Sequence, residues 1–297
     1  MTRSRLAAAF GGPVGATALV VIGLACQEVG ASIAVILFPT AGPLGMVTLR
    51  LAFSAIVLLA IARPRLTGHP ARAWLTVAGF GLVLALMNAL FYLSIERIPL
   101  GAAVTIEVLG PLALSVVASR RASAWLWAAL AAAGVALLGQ GSFGHLDPLG
   151  VALAGGAGAT WAGYILLSAR TGRSFPGLDG LAIAMTIGAL AILPFGIAAT
   201  GATLVRPDVL ALGAAVALLS STIPYALELI ALRRLPAGTF AVLMSLAPAM
   251  AAIAGLVLLG QGFTWVGAIA VALVVAASIG AVRTRGARPE ASSTASP

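Results

Sequence analysis

The chain has 297 residues, of which 61% are hydrophobic and only 8% are charged, against about 25% charged in a typical soluble domain. So few charges cannot cover a soluble fold of this size, and the mean hydropathy of +1.11 points the same way. A spanning helix takes roughly 20 mostly apolar residues, and the sequence supplies such stretches repeatedly: it reads as an all-α membrane protein of about ten transmembrane helices.

The net charge of +9 does not indicate a nucleic-acid partner. The arginines sit in short clusters between apolar runs, as basic residues do in the cytoplasmic loops of membrane proteins. The single cysteine, Cys26, allows no internal disulfide.

In chain order the spans fall at 14–38, 43–62, 74–95, 100–118, 125–140, 148–169, 178–199, 209–231, 238–260 and 264–282. The run from Val14 to Phe38 is too long for the apolar core of a signal peptide, so it reads as the first span. The connections are short and punctuated by Gly and Pro, as in Pro39-Thr40-Ala41-Gly42-Pro43. The span at 125–140 is short, but its Gly/Ala-rich composition suits close helix contacts. Residues 283–297 are polar and read as a disordered cytoplasmic tail.

Orientation follows from the arginines. With the N-terminus in the cytoplasm, fourteen lie inside; only Arg97 and Arg206 lie outside, and Arg50 falls within a span. Both termini are then cytoplasmic.

An internal repeat supports two halves, 14–140 and 148–282, of five spans each. At an offset of 137, Pro99 matches Pro236, Gly101 matches Gly238, Leu109 matches Leu246 and Pro111 matches Pro248. Five is odd, so the second copy enters the membrane from the opposite side. Inverted repeats of this kind build transporters with a midplane substrate site.

Charge within a bilayer is costly and marks function by default. Glu107 lies in Thr105-Ile106-Glu107-Val108-Leu109-Gly110-Pro111, where Pro111 has no N–H for the Glu107 carbonyl, so a kink is expected. Its carboxyl could bind a substrate ammonium, carry a proton, or serve only to bond a neighbouring helix. Arg50 could hold a substrate carboxylate, pair with Glu28 or Glu107, or snorkel to the surface. Ser221, Tyr225 and Glu228 recur at helical spacing beside Pro224, forming either a cavity wall or, for Glu228, a pair with Arg233 or Arg234. Asn88 and Tyr92 share a face of the third span, as do Thr160, Trp161 and Tyr164 on the sixth. Amide and aromatic groups like these line polar cavities for small zwitterions; an interfacial aromatic belt is the alternative for Trp161 and Tyr164. His69 and His145 fall in loops and no phosphate-binding loop is present, so neither a metal, a cofactor nor a nucleotide-driven pump is expected.

These motifs carry a resemblance. Asn88 to Ser94, Ile98-Pro-Leu-Gly101 and Glu107-Val-Leu-Gly-Pro111 look like the EamA-like branch of the drug/metabolite transporter superfamily. Ile223 to Pro236, Thr239-Phe240, Leu243-Met-Ser245 and Gly158 to Leu166 resemble the bacterial threonine/homoserine exporter subgroup, as do Gln27, Gly30-Ala31-Ser32 and Phe38-Pro39. The resemblance implies two inverted five-helix repeats in the bacterial cytoplasmic membrane and export of small metabolites, with Glu107, Tyr225 and Glu228 at motif positions and Pro111 and Pro248 matching. Three departures stand out. Ala247 and Gln261 replace glutamates of the family pattern, and Glu28 stands where a small residue is expected.

The expectation is a secondary exporter of amino acids, working by alternating access on a small-molecule substrate within a lipid bilayer. Proton coupling and a homodimer are compatible with it. A carrier of other metabolites or drugs is the nearer alternative. A membrane enzyme acting on lipid-linked substrates is the remote one.

Overall fold

The structure, a computed structural model, describes residues 13–119, 122–138, 146–232, 235, 243–262 and 264–286. Among these residues every regular element is a helix.

Helix α1 (Pro13–Ala62) runs through the expected loop at 39–43 and breaks only at Gly42, with φ 64° and ψ 164°. Two forces meet there. Pro43 disfavours helical backbone at the residue before it, and glycine tolerates positive φ. Fifty residues in one straight helix would extend about 75 Å, far beyond the roughly 30 Å of bilayer hydrocarbon. The element is therefore two helices joined by a sharp turn.

Helix α2 (Ala71–Ile95) is followed by α3 (Leu100–Glu107) and α4 (Leu109–Ser119), which meet at Val108. Here the expected kink appears, placed by the N–H that Pro111 lacks. Next come α5 (Ala122–Leu138), α6 (Pro148–Thr171) and α7 (Asp179–Thr200). Asp147 caps α6 by accepting from Leu149 N–H at 3.0 Å. The expected eighth span is three pieces: α8 (Pro207–Ala217), a π-turn over Leu218–Thr222, and α9 (Ile223–Leu232). In the ninth, Leu243 and Met244 are helical, Ser245 and Leu246 turn, and α10 (Ala247–Leu259) follows, ending at Gly260 with φ 62°. The last helix, α11 (Trp265–Gly286), reaches beyond 282, so Arg283 belongs to it rather than to the tail. Residues 287–297 lie outside the described residues.

Among the described residues, four helical segments are long and apolar enough to cross a membrane: 15–62, 71–95, 148–171 and 179–205. The other apolar helices run 10–17 residues. Leu75, Val257 and Trp265 are more than two-thirds exposed, a surface suited to lipid and not to water.

Helix α2 packs on α6, α1 on α7, α3 on α10, and α5 on α11. The first part of α1 meets the π-turn and α9: a Cβ on Gly23 would contact Pro224 and Leu227. The connections also meet one another. Thr200 Oγ1 donates to the Ala41 carbonyl at 2.7 Å. Arg97 pairs with Asp147 at 3.1 Å, and Arg65 N–H donates to Asp179 at 3.4 Å. The rings of His69 and Phe175 lie 4.2 Å apart.

Candidate functional site

The helix breaks at Val108 and Ser245 adjoin a cavity of about 180 Å³. Its polar wall is made by Gln27 and Glu28 from α1, Arg50 from beyond the α1 break, Asn88 from α2, Glu107 from α3, and Trp161 and Tyr164 from α6. Leu24, Ala31, Met87, Phe91, Val104, Met244 and Ala247 complete it.

Arg50 is 8% exposed, which rules out snorkelling. Three of its hydrogen bonds run to groups that the sequence reading does not name as its partners. Nε donates to Ser221 Oγ at 3.2 Å, Nη1 to Tyr92 Oη at 3.3 Å, and Nη2 to the Ser220 carbonyl at 3.1 Å. The guanidinium also lies 5.5 Å from the Tyr92 ring centroid, within cation–π range. The sequence explains the third bond. Pro224 has no N–H to give the carbonyl four residues earlier, which is that of Ser220, and Arg50 reaches it across the bundle. Both carboxyls remain within electrostatic reach of Arg50.

Glu28 is 3% exposed, and its Oε2 has no hydrogen-bond partner among the described residues. Glu107 is 9% exposed at the end of α3. Its backbone lies against α6: a Cβ on Gly158 would sit 2.5 Å from the Glu107 carbonyl oxygen, so only glycine permits this crossing. Among the described lining residues there are thus two carboxyls and one guanidinium.

Asn88 lines the cavity while its Nδ2 donates to the Leu84 carbonyl at 2.8 Å, leaving its amide oxygen available as an acceptor. Tyr92 does not line the cavity: it is fully buried one turn further on, bracing Arg50. Ser221 likewise stands behind Arg50. Trp161 and Tyr164 line the cavity, and Tyr164 packs on Phe80 at 5.1 Å between centroids. Thr160 instead bonds the carbonyls of its own helix. Tyr225 and Glu228 belong to α9, and their side chains lie outside the described residues.

Some contributors carried little sequence signal. Met87, Phe91 and Met244 read as ordinary apolar residues. Gln261 reads only as a departure from the family pattern. Its Oε1 accepts from Leu100 N–H at 3.0 Å, capping the helix that carries Glu107. The offset of 137 offered a further signal: it relates Leu24 to Trp161, Gln27 to Tyr164, and Glu107 to Met244, three pairs that all line the cavity. The same offset relates the break at Val108 to the turn at Ser245.

The chain is similar to known membrane exporters. The model of the EamA-like transporter family matches residues 148–283. The threonine/homoserine exporter RhtA of Salmonella typhimurium is 41% identical over 275 residues, covering 92% of both chains. That of Escherichia coli K12 is 42% identical over 269 residues, covering 90% of both. A solved crystal structure shares the fold at a TM-score of 0.58 and 21% identity, over 91% of this chain and 98% of its own.

Proposed function

The chain belongs to the EamA-like transporter family, and from that premise we propose that it exports threonine, homoserine and similarly small polar amino acids across the bacterial cytoplasmic membrane by alternating access. It is a carrier rather than an enzyme. The observation that carries the substrate reading is the cavity: about 180 Å³, lined by Glu28, Glu107 and Arg50. Drug-sized sites run roughly 300–1,000 Å³ and are mostly apolar. This one is smaller and holds acid and base together, which fits a small zwitterion better than a drug.

In this reading Glu107 meets the substrate ammonium or an exchanging proton, and Arg50 faces the carboxylate while held by α2 and the π-turn. Asn88, Trp161 and Tyr164 enclose the remainder. Intramembrane ionisable groups are expensive and are kept for such roles.

The proposed topology is ten crossings in two inverted halves with both termini cytoplasmic. Three observations support it. Contacts between connections join ones that this topology puts on the same side: 41 with 200, 97 with 147, and 65 with 179. The helix breaks at 108 and 245 repeat at the offset of the sequence repeat. The cavity is lined by residues paired through that same offset.

The test is efflux of labelled threonine and homoserine from vesicles carrying the purified protein. Wild-type protein should release both, and Glu107→Gln, which keeps shape and removes charge, should abolish release while the protein still folds. Wild-type rates from the variant would remove Glu107 from the mechanism. No protein-dependent release of either amino acid would overturn the substrate assignment.

A further inference from the structure

Glu28 is not needed to bind a neutral amino acid by its backbone groups. One carboxyl, Glu107, suffices for the ammonium, and Arg50 faces the carboxylate. Yet Glu28 lines the same cavity, is 3% exposed, and leaves Oε2 without a hydrogen-bond partner among the described residues. A buried polar atom of this kind is costly unless something satisfies it. An ionised carboxylate only accepts, so its natural partner is a donor.

We infer that Glu28 reads the substrate's side chain and favours an ammonium there, so that the protein also carries short diamino acids. This rests on the exporter reading above and extends its substrate class. The charges argue for an ammonium over a hydroxyl. A zwitterion bound between Glu107 and Arg50 brings no net charge and leaves the second carboxyl without a cation of its own. A side-chain ammonium neutralises it and donates to Oε2 in the same contact. A hydroxyl, as in homoserine, makes the hydrogen bond without the charge; a methyl does neither.

Size limits the class. The cavity of about 180 Å³ admits a short chain whose methylenes pack on Leu24 and Ala31, the residues about one turn either side of Glu28. The compound that isolates the effect is 2,4-diaminobutyrate, which is homoserine with an ammonium in place of the terminal hydroxyl.

The experiment is competition against labelled threonine in vesicles carrying the wild-type protein or Glu28→Gln, using 2,4-diaminobutyrate, homoserine and 2-aminobutyrate. Wild-type protein should be inhibited in that order. 2,4-Diaminobutyrate should be more effective than 2-aminobutyrate by roughly tenfold or more, the size of a charge-assisted hydrogen bond. In Glu28→Gln that ratio should collapse towards unity. Thermal protection of the detergent-purified protein by the same compounds should follow the same order, and this readout does not depend on transport. Equal ranking of the three compounds by wild-type protein, or an unchanged ratio in Glu28→Gln, overturns the inference while threonine efflux leaves the exporter reading standing. Absence of protein-dependent efflux of threonine, with no protection by any of the three compounds, overturns both.

Discussion

The guanidinium of Arg50 donates to the backbone carbonyl of Ser220 at 3.1 Å, a carbonyl that Pro224, four residues on, has no N–H to satisfy. A charged side chain from one half of the molecule thus completes the backbone of a helix in the other. The same guanidinium holds Ser221 and Tyr92, so it ties the second part of α1 to both α2 and the π-turn. Arginine suits this task because its planar fork serves several acceptors in fixed directions, whereas lysine is a point charge on a flexible stem.

The first prediction follows. Arg50→Lys keeps the charge and loses the fork, so it should lower both stability and efflux. Each bond lost to a charged donor is worth about 1.5–3 kcal/mol. Ser221→Ala removes one acceptor and should cost no more than one such bond. Thermal unfolding in detergent, run beside the efflux assay, checks both. Wild-type stability in Arg50→Lys would show that the fork is not needed.

The crossing of Glu107 with α6 makes a second prediction with its own control. Gly158 and Gly155 lie three residues apart on one helix. A Cβ on Gly158 would come within 2.5 Å of the Glu107 carbonyl oxygen, while one on Gly155 would meet nothing within 4 Å. Gly158→Ala should therefore force α6 away from the Glu107 backbone, at about 1–3 kcal/mol, as overpacking does. Gly155→Ala should be neutral or stabilising by about 0.5–1 kcal/mol, because alanine loses less freedom in a helix than glycine. Unfolding midpoints of the two variants decide the matter, and equal shifts would sink the account.

How much of this was legible beforehand depended on the kind of group involved. Glu107, Glu28 and Arg50 stood out because a charge in an apolar run is costly in a bilayer. Pro111 placed the break that accompanies Glu107. The partners of Arg50 were not legible: one is a backbone carbonyl, which every residue has, exposed by a proline whose effect depends on which helix lies opposite. Tyr92 and Ser221 read as cavity lining in the sequence and stand behind Arg50 in the structure. Periodicity could not separate the two layers, because lipid is as apolar as the bundle interior and helix faces differ little in composition. The break at Gly42 was sited correctly by Pro and Gly, but nothing local showed that the chain would remain helical up to it on both sides.

Gln261 presents the same difficulty at longer range, since its partner Leu100 is 161 residues away. Helix α3 follows Pro99, which contributes no side-chain cap, and the Gln261 carboxamide takes that place for the Leu100 N–H. Because α3 is only eight residues long, a shift at Leu100 reaches Glu107 at its other end. Gln261→Ala should cost about 0.5–2 kcal/mol, as the loss of a helix cap does. It should also weaken substrate binding, although Gln261 lies outside the cavity wall. Gln261→Glu keeps the acceptor and adds negative charge at a helix N-terminus, worth about 0.3–1 kcal/mol in favour, so it should match or exceed the wild-type stability. Thermal unfolding and the threonine concentration for half-maximal efflux, measured on both variants, separate the contributions. If Gln261→Ala alters stability and leaves that concentration unchanged, the cap holds the fold without positioning Glu107; if Gln261→Glu behaves like Gln261→Ala, the hydrogen bond to Leu100 is not what the side chain supplies.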